Sequence, residues 1–411
     1  MIKYLYCGIG VFGCSWSGLA MADVAIEHDI DWSARGRFAD FYGADPARAT
    51  SLLLRFDVAS QWTEWLSSHI QVDNVSRGFK HEHSDGVDLN GKPLIPDAEG
   101  LDLNQAYLGI TLDSLSFKLG RQQINWDDQR FIGGNGFWQN EQTFDAISSN
   151  LKLFTNSQLS YAYIANVNRI FGDDADKQLT LIGGVYGDDT VGRPVNLLGD
   201  HKHHTHIARL NINEWDYSEL VAYGYAMDNL TAPRTSNNTL GAHYTFTYKM
   251  DAIKYRLKIE SALQKQPELN NRPLLPYYLL DASVGINRFD VTGRYEILSH
   301  KENASFIMPL GSAHDFQGAS GQMQDFMGQG LKDASLGLTW RATPFKIETQ
   351  YHQFNAYTSN EYLGQEVDVT LSYKPSRKHV VSLLAAYFEP EFELASGKNV
   401  RRFYLDYAYN F

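Results

Sequence analysis

Cysteine is nearly absent: the 411 residues hold two, Cys7 and Cys14, both ahead of residue 23. Residues 23–411 therefore have no disulfide framework and no Cys-ligated zinc or iron–sulfur site. They also lack any apolar run of the ~20 residues that a helix needs to cross a bilayer. A chain of this kind enters a membrane only as a closed barrel, because only helices and closed barrels satisfy their backbone groups in lipid. Catalytic signatures are missing as well. There is no Gly-x-Ser-x-Gly elbow and no His-Glu-x-x-His run, so the chain reads as a non-enzyme with no cofactor. A net charge of -12 argues against a nucleic-acid partner. No linker or low-complexity stretch divides residues 23–411, which read as one domain.

Residues 1–22 have the form of a secretory signal. Lys3 is the only charge before Asp23, Ile9 to Leu19 is apolar or small, and Ala20-Met21-Ala22 has the small-x-small form of a cleavage site. The run is too short for a spanning anchor. Cleavage near Ala22 would leave only a few residues before the first strand, too few for a plug domain.

Aromatic residues are abundant, at 13% with 24 Tyr and 22 Phe, and such residues favour strands. At the C-terminus Phe403, Leu405, Tyr407, Tyr409 and Phe411 fall on one face of a period-2 strand, with Arg402, Tyr404, Asp406 and Asn410 on the other. This resembles the last strand of outer-membrane barrels, which ends in Phe and is read by the barrel-assembly machinery. The same alternation runs through Leu52–Ala59, Leu240–Lys249, Ile253–Glu260 and Val367–Lys374. It is the apolar-out, polar-in patterning of a membrane strand.

Eighteen such segments are predicted, near 27–40, 50–60, 63–75, 102–113, 114–125, 141–153, 155–166, 203–213, 217–226, 238–249, 252–264, 277–287, 288–299, 331–341, 344–355, 361–373, 379–389 and 400–411. Numbered in order, the even connections are short and the long segments, 76–101, 126–140, 167–202, 265–276 and 300–330, all fall on odd ones. Short periplasmic turns and long outer loops are the habit of bacterial barrels. The fold class expected is thus all-β: a single antiparallel transmembrane barrel of about 18 strands, with both ends in the periplasm, lipid and lipopolysaccharide around it, and an aqueous channel inside.

Alternation also predicts which charges face the lumen. The basic ones are Arg35, Arg37, Arg55, Lys118, Arg209, Lys249, Lys254, Arg256, Lys258, Arg288, Arg294, Arg341, Lys346 and Arg402. The acidic ones are Asp57, Asp73, Glu260, Asp281, Asp290, Glu296, Asp333, Glu348, Asp368 and Asp406. The excess is basic, so the remaining acid is expected in loops, at Asp173, Asp174, Asp176, Asp188 and Asp189. Arginine's planar fork suits carboxylates, and successive weak sites permit passage. The alternative is that these charges pair across the wall and merely hold the barrel open.

Three blocks carry a family resemblance. The first runs from Gly120-Arg121-Gln122-Gln123 through Asp128-Gln129-Arg130-Phe131-Ile132-Gly133 and Gly136-Phe137-Trp138-Gln139-Asn140 to Thr143-Phe144-Asp145-Ala146. The second is His314-Asp315-Phe316-Gln317-Gly318 with Asp325-Phe326 and Gly330-Leu331-Lys332-Asp333. The third is Tyr351-His352-Gln353-Phe354 with Tyr362-Leu363-Gly364-Gln365-Glu366-Val367-Asp368. Together they resemble the alginate-export porin family. The resemblance implies an 18-stranded outer-membrane barrel that passes an anionic polysaccharide through an Arg-lined constriction, and Arg121, Arg130 and Asp145 match charged positions of that family. Two positions depart from it: Glu141-Gln142 stands where a basic residue often precedes Thr-Phe-Asp, and Ile147-Ser148 where one often follows. A channel for small carboxylates or neutral oligosaccharides is the second reading.

Strict alternation puts Arg121 on the face of Phe117 and Leu119, towards lipid. A bulge at Gly120 is expected to turn it inward. Two histidine clusters, His201/His203/His204/His206 and His81/His83 with Asp85, lie in or beside predicted outer loops. Such spacing can bind zinc or copper, but both clusters read as solvated polar loops with no metal, because nothing in the sequence fixes a ligand geometry there. The glycine-rich 300–330 segment, with Gly311, Gly318, Gly321, Gly328 and Gly330, is a candidate gate folded into the mouth or else a mobile outer loop.

Overall fold

The computed structural model describes residues 26–43, 45–172, 175, 199–269, 271–324, 329–391 and 399–411. The signal-like segment, the acidic stretch at 173, 174, 176, 188 and 189, and Asp325, Phe326 and Gly328 lie outside the described residues. Eighteen strands form one antiparallel sheet that closes on itself. They are β1 (Glu27–Tyr42), β2 (Ala47–Gln61), β3 (Leu66–Glu82), β4 (Gly100–Leu112), β5 (Leu115–Gln122), β6 (Thr143–Lys152), β7 (Gln158–Asn168), β8 (Asp200–Trp215), β9 (Ser218–Met227), β10 (Asn237–Met250), β11 (Ile253–Lys265), β12 (Leu275–Ile286), β13 (Phe289–Leu298), β16 (Leu331–Ala342), β17 (Phe345–Ala356), β18 (Tyr362–Tyr373), β19 (His379–Pro390) and β20 (Val400–Asn410). Two-residue strands β14 (His300–Lys301) and β15 (Ala304–Ser305) make a small ladder inside one loop.

Closure is made by the first and last strands, which pair from Ser33↔Asn410 to Tyr42↔Arg401. Phe411 donates its N–H to the Trp32 carbonyl and stacks on the Trp32 ring. The terminal Phe thus lies at the seam, where closing the sheet removes the last free edge. The expected strands all appear, with small differences at their ends; β3 departs most, running on to Glu82 because it remains paired with β2 as far as Arg48↔Glu82.

Loop parity also holds. Turns at 62–65, 113–114, 153–157, 216–217, 251–252, 287–288, 343–344 and 374–378 lie at one end, and the long connections at the other. The turn end carries exposed Trp62, Trp65, Phe154, Trp215, Tyr217, Phe289, Phe345 and Phe411. This is the aromatic girdle of a membrane–water interface.

The bulge expected at Gly120 is absent. β5 pairs with β4 and β6 without a register shift, so Gly120↔Ala146 is followed by Arg121↔Asp145. The irregularities lie in the neighbours instead: Asn104 is skipped between β3 and β4, and Ala165 between β6 and β7. Gly120 adopts φ +124°, and a Cβ there would strike the Ala106 carbonyl oxygen. Gly120→Ala is therefore expected to destabilise the barrel by about 1–3 kcal/mol, measurable as a lower urea midpoint for the protein refolded into lipid.

Candidate functional site: a loop-spanned lumen and the cavity above it

β5 ends at Gln122 and β6 begins at Thr143, so residues 123–142 leave the wall. They cross the lumen. At one side Arg35 donates to Gln139 Oε1 at 2.7 Å, to the Gly136 carbonyl at 2.9 Å and to the Trp138 carbonyl. Arg37 donates to the Phe137 carbonyl at 2.6 Å and packs its guanidinium over the Phe137 ring at 4.5 Å. At the other side Asp127 accepts from Arg209 Nε at 3.0 Å and lies 3.3 Å from His243 Nε2. Asp128 accepts from Lys258 Nζ at 3.0 Å, and Arg130 Nε donates to Glu296 at 2.6 Å. Wall strands β1, β8, β10, β11 and β13 thus hold one segment from opposite sides.

Apolar side chains complete the docking. Phe131 inserts among Tyr223, Tyr225, Tyr277 and Phe306. Trp138 joins Phe41, Ile95, Phe171 and Tyr404 on the opposite side. Positive φ at Asp127, Gln129 and Asn135 gives the segment its sharp bends. For a non-glycine residue such a conformation persists only where surrounding contacts over-determine it, and those contacts are the anchors just named.

Electrostatics follow from burial. Burial alone would raise the Asp127 carboxyl, but hydrogen bonds from His243 and Arg209 outweigh it and hold the group well below the usual carboxylate range. Asp128 is likewise lowered: the charge and hydrogen bond of Lys258 offset its burial. Burial and the charge of Arg37 push His314, which stacks on Phe137, down to about 3, so it is neutral at physiological pH.

The predicted lumen cations take up specific places, and most are paired. Arg37 is 4% exposed, bidentate to Asp406 at 2.7 and 2.9 Å, with Asp97 at 3.4 Å. Arg55 pairs with Asp73 and Glu141, Arg256 and Arg294 share Asp281, and Lys258 pairs with Asp128 and Glu260. Arg341 pairs with Asp290, and Lys346 with Glu348. Lys118 lies 4.4 Å over the Tyr107 ring. Lys254 is exposed near the turn end, opposite Lys249. Of the two readings of these charges, pairing across the wall describes most of them. The acid that answers them comes partly from the wall and partly from the inward-folded loops, at Asp97, Asp127, Asp128 and Glu141.

Arg121 and Asp145 are partners of each other, at 2.8 Å. They are two residues beyond Leu119 and two before Ile147, cross-strand partners that are 53% and 49% exposed on the outward face. Asn166 and Asn168 donate to Asp145, and Lys202 bonds Asn166. The pair stands at the loop end of β5 and β6, where Arg121 also borders a small pocket with Asp73, Asn104 and Glu141.

Two arginines not singled out beforehand, Arg169 and Arg234, join two that were, Arg130 and Arg402, around a cavity of about 620 Å³ on the loop side of the crossing segment. Arg130, Arg169, Arg234 and Arg402 contribute to its wall, with Phe41, Trp138, Phe171, Phe306 and Tyr404, and no Asp or Glu is among its described lining residues. Arg130 Nη2 is buried there without a hydrogen-bond partner. Arg402 lies over Phe41 at 3.7 Å and donates to the Ser320 carbonyl. Residues 303–324 of the candidate gate form much of the cavity wall. They are joined to the crossing segment by the Ile132↔Leu310 bridge and to β18 by Ser320, which donates through N–H and hydroxyl to Glu366 at 2.6 Å. Arg169 and Arg234 follow strand ends in connecting loops, where alternation predicts nothing.

Comparison with known proteins agrees with this architecture. The alginate export family model matches residues 52–218, which bears out the resemblance carried by the first motif block. No curated protein matches the sequence. Among solved structures, OccAB4 of Acinetobacter baumannii superposes with a TM-score of 0.70 at 9% identity, covering 94% of this chain and 98% of that one. OccK8 (OprE) of Pseudomonas aeruginosa gives 0.69 at 11% identity, with 94% and 98% covered. OpdK of Pseudomonas aeruginosa, in a structure with vanillate, gives 0.67 at 12% identity with the same coverage. At these identities the likeness concerns the fold, an 18-stranded porin-type barrel.

Proposed function

We propose that this chain is a porin of the bacterial outer membrane that passes small carboxylate-bearing solutes, sugar acids and aromatic acids among them. The family match and the porin fold favour a channel over an enzyme. The observation that carries the substrate class is the cavity: four arginines, aromatic faces and no described carboxylate in a space of about 620 Å³. That size suits a small ligand, and arginine with aromatic surface suits a carboxylate on a flat or ring-shaped body. The vanillate in the OpdK structure is a solute of this chemistry. Short turns at the end bearing both termini make that end periplasmic, and the Phe411 strand is the segment offered to the assembly machinery.

Passage of an anionic polysaccharide is the second reading, favoured by the alginate export match. A polymer would require the crossing segment and residues 303–324 to withdraw from anchors at both sides.

Single-channel recording in planar bilayers tests the proposal. Anion selectivity and block by vanillate or glucuronate are expected, both weakened severalfold in the combined Arg169→Ala, Arg234→Ala and Arg402→Ala variant. Arg256→Ala is expected to matter less, because Arg256 is held by Asp281 and does not line the cavity. Cation selectivity of the unmodified channel would refute the reading. Block that strengthens steeply with mannuronate chain length would favour the polysaccharide instead.

A further inference from the structure

The porin reading makes no use of the loop end of β3, where His81, His83 and Asp85 converge. One donor atom from each lies within 4.8 Å of the other two. The imidazole centroids are 4.6 Å apart with planes near perpendicular. His83 is 3% exposed and Asp85 is fully buried.

The hydrogen bonding of the two rings points to a ligand. His83 Nδ1 faces the Arg48 carbonyl at 3.2 Å, which places the proton on Nδ1 and leaves Nε2 a bare lone pair. His83 Nε2 is buried with no partner. His81 Nε2 lies 3.9 Å from the Asp88 carboxylate, and His81 Nδ1 is buried with no partner. Two buried imidazole nitrogens without hydrogen bonds are costly unless something occupies them. A backbone carbonyl behind one ring and a carboxylate behind the other is the arrangement that orients metal-ligating histidines. Asp85 supplies an oxygen while its carboxylate also accepts the Val87 and Asp88 N–H groups and an Arg77 N–H at 3.0 Å.

We propose that His81, His83 and Asp85 form a largely buried site at the loop end of β3 for a divalent transition metal of the zinc or copper type, with the fourth position left to water. Imidazole suits these ions, whereas calcium and magnesium take oxygen ligands. Bonds of about 2.1 Å set tetrahedral ligands ~3.4 Å apart, so binding draws the three side chains together and competes with Arg77 for Asp85. Arg77 keeps Asp88 at 2.7 Å and Glu99 at 3.4 Å. The site flanks Ser84, which bridges to Leu94; that segment carries Pro93, Leu94 and Pro96, which line the cavity, and Asp97, which holds Arg37. The β8 histidines form no such group: His201 and His203 are buried on one face, His204 and His206 are exposed on the other.

The test is zinc chloride titrated into the refolded full-length protein in detergent, followed calorimetrically, with the absorption spectrum of the cobalt(II) form as a second readout. One saturable zinc per chain and tetrahedral cobalt bands are expected. His83→Asn should abolish both, and Asp88→Asn, which keeps the backbone N–H bonded to Asp85 and removes only the carboxylate behind His81, should weaken binding about tenfold. His201→Asn with His203→Asn should leave binding unchanged. Heat-modifiable gel mobility verifies that each variant is folded. No saturable zinc in the unmodified protein, equal binding by a folded His83→Asn protein, or loss of binding in the β8 variant alone would each overturn the proposal.

Discussion

Replacing Glu296 by alanine is expected to destabilise the barrel by about 3–5 kcal/mol, because it leaves the buried Arg130 guanidinium without its counter-charge. Arg130 Nε is 2.6 Å from Glu296, and both side chains are almost fully buried. Glu296 also accepts from Tyr277 at 2.8 Å and from Gln317 at 2.6 Å. One carboxylate therefore joins β12, β13, the crossing segment and the 303–324 wall. Its loss strands three donors at once, and an unsatisfied buried donor is costly beyond the bond itself. Refolding into lipid with a urea titration reads the loss. Glu296→Gln separates its parts, since it keeps one acceptor oxygen for Arg130 and Tyr277 while removing the charge and setting an NH2 donor against Gln317; it should cost less than alanine. A midpoint unchanged in both variants would show that the crossing segment is not anchored there.

Asp127→Asn combined with Asp128→Asn is expected to have the largest effect on conduction. The two carboxylates hold the crossing segment to Arg209, His243 and Lys258. Neutralising them releases that side of the segment and leaves Arg209 without its counter-charge, while Lys258 keeps Glu260. Single-channel conductance should rise severalfold, with noisier openings and stronger anion selectivity. The pH dependence has a definite sign. Both carboxyls are depressed in the folded protein, so the anchoring they provide is fully present above the ordinary carboxyl range of about 4. It is lost only as pH falls through the lowered values. Conductance governed by these carboxylates should be flat from pH 8 to pH 5 and change only in strongly acidic solution. A rise in conductance already at pH 6 would contradict the anchoring.

Much of the architecture was legible in the chain itself. Period-2 alternation is local, because each strand residue faces either lipid or water, and Leu240–Lys249 declares its two faces without help from distant residues. Loop-length parity added topology, because an antiparallel barrel must alternate its ends. The placement of Arg121 illustrates where local reasoning stopped. The sequence shows a charge on a lipid face and suggests a bulge to correct it. The barrel instead keeps the register, accommodates Gly120 at positive φ, and answers Arg121 with Asp145 from the next strand.

The lumen was legible as a set of residues but not as a charge distribution. Arg37, Arg55, Lys258 and Arg294 face inward as alternation requires. Their partners come from strands and loops far along the chain: Asp406 for Arg37, Glu141 for Arg55, Asp128 for Lys258. Which cations stay available to a solute is decided by where segments 123–142 and 303–324 fold, and side-chain periodicity carries no information about irregular segments. The sequence by itself determined the barrel, its strand number and the facing of its walls, because these follow from alternation and chain order. Only the tertiary structure decided that the wall arginines are anchors and that Arg130, Arg169, Arg234 and Arg402 come together around one cavity, because pairing across a lumen depends on contacts between residues distant in sequence.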